Sequence, residues 1–137
     1  MASKWDGQTC PLCAEGTLHD GVKTISQRYK GRIFTSDTHG AFCDHCTEGF
    51  VETDDQEEAA WLAFRDRVDA AEAAELVRIR RKLKLTQMAA SRLAGGGKNA
   101  FSRYERGRAK PVAAVIHLFR LLDRHPELLA ELKDAVA

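Results

Sequence analysis

One stretch of 23 residues, Leu85 to Gly107 (LTQMAASRLAGGGKNAFSRYERG), leaves its part of the chain few conformations to choose from. Thr86 stands before a short run in which Ala90, Leu93 and Ala94 share one face at helical spacing, and its hydroxyl suits an N-cap. Gly95, Gly96 and Gly97 then end that helix and are expected to supply the positive φ of a sharp turn. A second helix is expected from about Lys98 or Asn99 to Arg106, with Gly107 as its terminator.

The second helix is two-sided. With each residue advancing about 100° around the axis, Asn99, Ser102, Arg103 and Arg106 fall on one half of the wheel. Ala100, Phe101 and Tyr104 fall on the other. Asn99 and Arg103 are one turn apart and project together. A carboxamide matches adenine N6 and N7, and a guanidinium matches guanine O6 and N7, both bidentate in the major groove. This is the pattern of a helix-turn-helix with its recognition helix, although a helical hairpin with a solvated polar face gives a similar wheel. Asn99 and Arg103 are the expected base readers. Gln87, Lys98, Ser102, Arg106, Arg108 and Lys110 are the expected phosphate contacts.

In LVRIRRKLKL, Leu76, Ile79 and Leu83 form an apolar stripe with Arg80 inside it. A guanidinium on a buried face needs a partner, because an unpaired buried charge is too costly. Glu105 lies beside Phe101 on the inward side of the recognition helix, so an Arg80–Glu105 ion pair is expected to fix one helix against the other.

Charge divides the chain in two. Residues 1–69 carry 7 Lys and Arg against 13 Asp and Glu, whereas residues 70–137 carry 14 against 7. The basic half suits a phosphate backbone, and the acidic half should point away from it. No apolar run approaches the roughly 20 residues of a membrane span, and no secretory signal is present, so a cytoplasmic location is the default expectation.

All four cysteines stand in two pairs, Cys10 and Cys13 (CPLC) and Cys43 and Cys46 (CDHC), with 29 residues between the pairs. A two-residue gap lets both thiolates of a pair reach one ion, and two pairs complete a tetrahedral site. Disulfides are disfavoured in a reducing cytosol, and a redox-active pair needs a thioredoxin-like pattern that is missing. Zinc is the expected ion, one per chain, though iron also accepts four thiolates. Four thiolates leave no position for a reactive water, so the expected role is structural. A small domain has an evident use for such a staple. No convergent acid/base set accompanies the cysteines; no catalytic residue is assigned and an enzyme is not expected.

Between the pairs, VKTISQRY and RIFTSD read as a hairpin turned at Lys30-Gly31, with a short strand expected from Gly49 to Glu52. The hairpin edges offer backbone to a partner. Met1 to Thr9 reads as a frayed lead-in, with Trp5 the one residue placed against the metal domain. From Asp54 a long helix-forming run begins with acids suited to a helix N-terminus, and Trp61, Leu62, Phe64 and Val68 supply its first apolar face. The domain junction is placed in Asp69 to Ala74, with the helix either continuous or broken there. Arg65 and Arg67 are expected on phosphate or in solvent. Beyond Gly107, Pro111 opens a helix striped by Val112, Val115, Ile116, Phe119 and Leu122, with Leu118 and Leu121 beside the stripe. That apolar coverage exceeds the need of one small core and points to a second copy of the chain. A last helix after His125-Pro126 repeats Leu128, Leu129, Leu132 and Val136. The expected architecture is α+β: a β-rich zinc-binding domain over residues 1–69 and an all-α helix-turn-helix domain over residues 70–137.

CPLC and CDHC, followed by LTQMAASRLAGGGKNAFSRYERG and then LLDRHPELL, resemble the MqsA family of bacterial antitoxins, from Cys10 to about Lys133. The helix-turn-helix half is also similar to the wider XRE/Cro repressors. The resemblance implies a zinc domain that binds and blocks a ribonuclease toxin of the MqsR type. It implies a C-terminal domain that dimerises and binds a palindromic operator in double-stranded DNA, repressing its own operon. It places Asn99 and Arg103 at base-reading positions, Cys10, Cys13, Cys43 and Cys46 at zinc positions, and Arg80 and Glu105 at those of an ion pair. A stand-alone transcriptional regulator with a structural zinc module and no toxin remains the alternative.

Overall fold

Lys30 and Gly31 both take positive φ, 50° and 79°. Two such residues in succession make the tight turn whose twist matches that of antiparallel strands. The turn sets the register of a long hairpin: β1 (Leu18–Tyr29) runs against β2 (Arg32–Cys43) from the pair Tyr29 and Arg32 to the pair Leu18 and Cys43. A short β3 (Gly49–Glu52) pairs antiparallel with His39 to Phe42, giving a sheet of order β1-β2-β3. The helices follow: α1 (Asp55–Lys82), α2 (Gln87–Leu93), α3 (Ala100–Glu105), α4 (Ala113–Arg124), a 3-10 turn Pro126–Leu128, and α5 (Leu129–Ala135). This computed structural model describes residues 2–137. The α+β class expected from the sequence is the one observed.

The chain forms two compact units, Met1–Asp66 and Arg67–Ala137. In the first, Leu18 and Ala41 are fully buried beside Cys10 and Cys43, with Trp5 and Phe50 packed against them. The lead-in is not frayed over its described part; Met1 lies outside the described residues. Ser3 is buried, Trp5 stacks on Phe50 at 4.7 Å, and the Gly7 and Leu18 N–H groups bond the Leu18 and Gln8 carbonyls. Periodicity gave no hint of this, because the segment is held by hydrogen bonds and one ring. At the other end of the hairpin, Phe34 packs on Trp61 and Phe64 of α1, at 5.5 and 5.1 Å. Arg65 stacks over the Tyr29 ring at 5.0 Å and is half-buried, so it is not the solvated cation expected. Leu62, placed on the apolar face by its neighbours, is 47% exposed.

Helix α1 begins with a reciprocal cap: Glu57 N–H donates to Asp54 Oδ1 at 2.8 Å, and Asp54 N–H donates to Glu57 Oε2 at 3.0 Å. It then runs unbroken through Asp69–Ala74, the continuous one of the two forms expected for that stretch. Nothing in DAAEAA opposes a helix, since Ala is its best former.

In the second unit, Phe101 and Phe119 are fully buried with rings 4.8 Å apart, and Leu76, Ile79, Leu93 and Ile116 close around them. Burying one such ring contributes about 1.5–3 kcal/mol. Thr86 caps α2 by accepting the Ala89 N–H at 3.0 Å. Of the three glycines that follow, only Gly95 has positive φ, at 76°. Gly96 answers to crowding instead: a Cβ there would lie 2.8 Å from Ala100 Cβ. The α4 stripe holds for Val115, Ile116, Phe119 and Leu122, whereas Val112 is the N-cap and 66% exposed.

Candidate metal centre and nucleic-acid interface

Each cysteine pair sits on a tight knuckle. Ala14 N–H donates to Cys10 O at 2.8 Å, and the residue after each pair, Ala14 or Thr47, turns left-handed with φ of 60° or 66°. Such backbone in a non-glycine residue costs roughly 1–3 kcal/mol and persists only where the surroundings hold it. The sheet brings the knuckles together, because Cys43 ends β2 opposite Leu18, just after the first pair.

The four sulfurs lie within 4.8 Å of one another, with Cys10 to Cys46 at 3.8 Å and Cys13 to Cys43 at 3.7 Å. All four cysteines are free of disulfides. A tetrahedral ion with sulfur bonds of about 2.3 Å has sulfur–sulfur edges of ~3.8 Å, so the cluster has the size of a four-thiolate site. Backbone N–H groups point at the sulfurs: Gly16 to Cys13 at 3.4 Å, and His45 and Cys46 to Cys43 at 3.3 and 3.4 Å. N–H groups of Glu15 and Gly16 pull the Cys13 thiol down to about 6. Cys46, although the Glu48 N–H lowers it, is pushed up to about 12 by burial and the neighbouring thiols. These residues can hold a metal ion. His19 and His45 stand outside the sulfur set, bonded to Asp44 at 2.9 Å and Glu15 at 2.8 Å.

The second site grows from Arg80. Its Nε and Nη2 donate to Glu105 Oε2 and Oε1 at 2.9 and 2.8 Å, and its Nη1 donates to the Leu85 carbonyl at 2.9 Å. The two side chains are 13% and 9% exposed, so α1 and α3 are joined by a largely buried bidentate pair. Phe101 anchors the inner face of α3, and Tyr104 meets its ring edge-on at 5.6 Å. With that face held, Asn99 and Arg103 are exposed on the outside, as are Lys98, Arg106 and Arg108. Gln87 and Ser102 are half-buried. Lys110 Nζ lies 2.8 Å from Asp69 Oδ2, so this expected phosphate ligand already has an anion.

Residues 8–133 match the family model described as MqsA, the antitoxin component of a bacterial toxin–antitoxin system. The chain is also 43% identical over 129 residues to Antitoxin MqsA of Escherichia coli strain K12, an alignment covering 90% of this chain and 98% of that protein. The chain belongs to the MqsA antitoxin family.

Its members are antitoxins, not enzymes. No helix among the described residues is long and apolar enough to cross a membrane. Several structural ties in this antitoxin have no signature in the sequence. Asp123 of α4 takes Arg78 and Lys82 of α1, at 2.8 and 2.9 Å, and Arg120 of α4 forks onto Glu75 at 2.9 and 3.0 Å. His39 bonds Asp20 at 2.6 Å, and the buried Ser3 hydroxyl donates to Glu52 at 2.7 Å. Such pairs depend on which elements meet, which no periodicity records.

Proposed function

We propose that this antitoxin neutralises a ribonuclease toxin of the MqsR type through its metal-binding unit, and represses its own operon by binding a palindromic operator as a dimer. The observation that carries the DNA half is the placement of Asn99 and Arg103, exposed on a helix pinned from behind by Phe101 and the Arg80–Glu105 pair. In a twofold dimer two such helices enter successive major grooves ~34 Å apart. Arg103 presents its guanidinium to guanine and Asn99 its carboxamide to adenine, while Lys98, Arg106 and Arg108 neutralise phosphates. Exposed Val112, Leu121 and Leu128, at 66%, 46% and 44%, support the dimer, since they are surplus to the monomer core.

Cys10, Cys13, Cys43 and Cys46 would hold Zn2+, which supplies a tetrahedral cross-link and no reactive position. The thiolate set and its ~3.8 Å spacing favour zinc, with iron as the competitor. Residues 1–69 would act as the toxin-binding domain and residues 70–137 as the DNA-binding and dimerisation domain, in the bacterial cytoplasm.

The DNA reading is tested by titrating operator variants with the full chain. Arg103→Ala should cost about 1–3 kcal/mol and relax preference at one base pair. Lys98→Ala should weaken all sequences alike and reduce the salt slope. An Arg103→Ala variant with undiminished base preference refutes Arg103 as a reader. The toxin reading is tested by co-purification with the product of the adjacent gene.

A further inference from the structure

Asn99 holds two positions at once. It is the N-cap of α3, where an Asn side chain on extended backbone ordinarily turns back to accept the N–H of the second or third helical residue; here the Asn99 backbone, at φ −103° and ψ 6°, is not extended. It is also the proposed adenine reader, for which its carboxamide must point away from the helix. In the structure the Asn99 side chain makes no capping hydrogen bond. The N–H of Phe101, the second residue of α3, is satisfied by another residue: it donates to Ser91 Oγ of α2 at 3.0 Å.

Ser91 is fully buried, and its hydroxyl in turn donates to the Gln87 carbonyl at 2.8 Å. That second bond fixes the hydroxyl rotor and turns an oxygen lone pair toward α3. The neighbours of Ser91 on α2, Ala90 and Leu93, are buried and apolar. Without the Ser91 hydroxyl the Phe101 N–H would be a buried donor with no acceptor, and Asn99 stands at the position from which a capping side chain serves the second helical N–H.

We propose that Ser91 is a positioning residue for DNA recognition. It caps the recognition helix from the neighbouring helix, and so releases the Asn99 carboxamide for the base edge. The link to DNA rests on the base-reading role of Asn99, whereas the capping step does not.

The test uses the full chain and the variants Ser91→Ala, Asn99→Ala and the double variant. Amide hydrogen exchange at Phe101 reads the cap without DNA. Exchange should be slow in the parent and equally slow in Asn99→Ala. It should be faster in Ser91→Ala, where Asn99 substitutes in part, and fastest in the double variant. Faster exchange in Asn99→Ala alone, or a double variant as slow as the parent, overturns the capping role.

Operator titration reads the consequence. Ser91→Ala should lower preference at the base read by Asn99 about fivefold or more, the lower bound for one bidentate contact. Adding Asn99→Ala should then change it less than about twofold. Preference undisturbed by Ser91→Ala but lowered by Asn99→Ala overturns the link. Preference undisturbed by Asn99→Ala itself strikes the base-reading assignment instead, and the exchange data still decide the cap. Should Ser91→Ala unfold the second unit, Ser91→Cys, close in size with a weak acceptor, carries the same measurements.

Discussion

Replacing one member of the Arg80–Glu105 pair should be far more damaging than replacing both. In Glu105→Leu the guanidinium keeps only the Leu85 carbonyl, at 2.9 Å, in a site where its side chain is 13% exposed. A buried charge stripped of its counter-charge costs about 3–5 kcal/mol. Arg80→Met should cost a similar amount, since it leaves the Glu105 carboxylate unpaired and the Leu85 carbonyl without its donor. In the double variant both charges are gone and apolar volume replaces them. What remains is one lost carbonyl hydrogen bond, about 1 kcal/mol. With each single variant costing at least about 3 kcal/mol and the double about 1, the coupling energy between the two sites should be about 5 kcal/mol or more in favour of the pair. Urea denaturation of the full chain measures it. Trp5 and Trp61 both precede Arg67, so tryptophan fluorescence follows the first unit and far-UV circular dichroism the helices. A double variant as unstable as the worse single, or single variants within about 1 kcal/mol of the parent, refutes the reasoning.

Three further outcomes are expected. Gly16→Ala should weaken metal binding without touching a ligand, because its Cβ would lie 2.2 Å from Cys43 Sγ; metal content after competition with a chelator checks this. Stripping the metal should unfold the first unit, whose buried core is little more than Cys10, Leu18, Ala41 and Cys43, and leave the helical unit intact; tryptophan fluorescence should change while most helical dichroism stays. The Arg78 guanidinium, then the Lys82 ammonium, hold the Asp123 carboxyl well below the usual carboxylate range. A depressed folded value stabilises fully above the unfolded value of about 4 and is lost as pH falls through the folded one, so Asp123→Asn should flatten the acid limb of the stability curve.

The features legible in the sequence were those that repeat or that chemistry forces. Paired cysteines, the Lys30-Gly31 turn and the 3.6-residue stripes of α2 and α4 each follow from a local rule. Arg80 was legible because a charge inside an apolar stripe demands a counter-charge. Leu62 and Val112 show the limit of that approach: each extends a stripe on the wheel yet stays exposed, Val112 as the N-cap of α4. Ser91 was illegible for the opposite reason. A serine in an Ala-rich helix carries no signal until its distance to a backbone N–H ten residues on is known. The ion pairs of α4 with α1 and the tether of Ser3 depend likewise on tertiary neighbours.

Strand β1 closes the sheet on one side, and the N-terminal segment covers only its start, through Leu18 and Asp20. Further along, the peptide groups of Val22, Thr24, Ser26 and Arg28 face outward with no backbone partner among the described residues. Backbone pairing along a ladder of this kind does not depend on side-chain identity. Selectivity for one partner must then come from what flanks the seam: exposed Val22 and Ile33 on one face, and Lys23 over the Phe42 ring on the other. Exchanging those flanking groups should change which chains the edge accepts while leaving its capacity to accept one untouched.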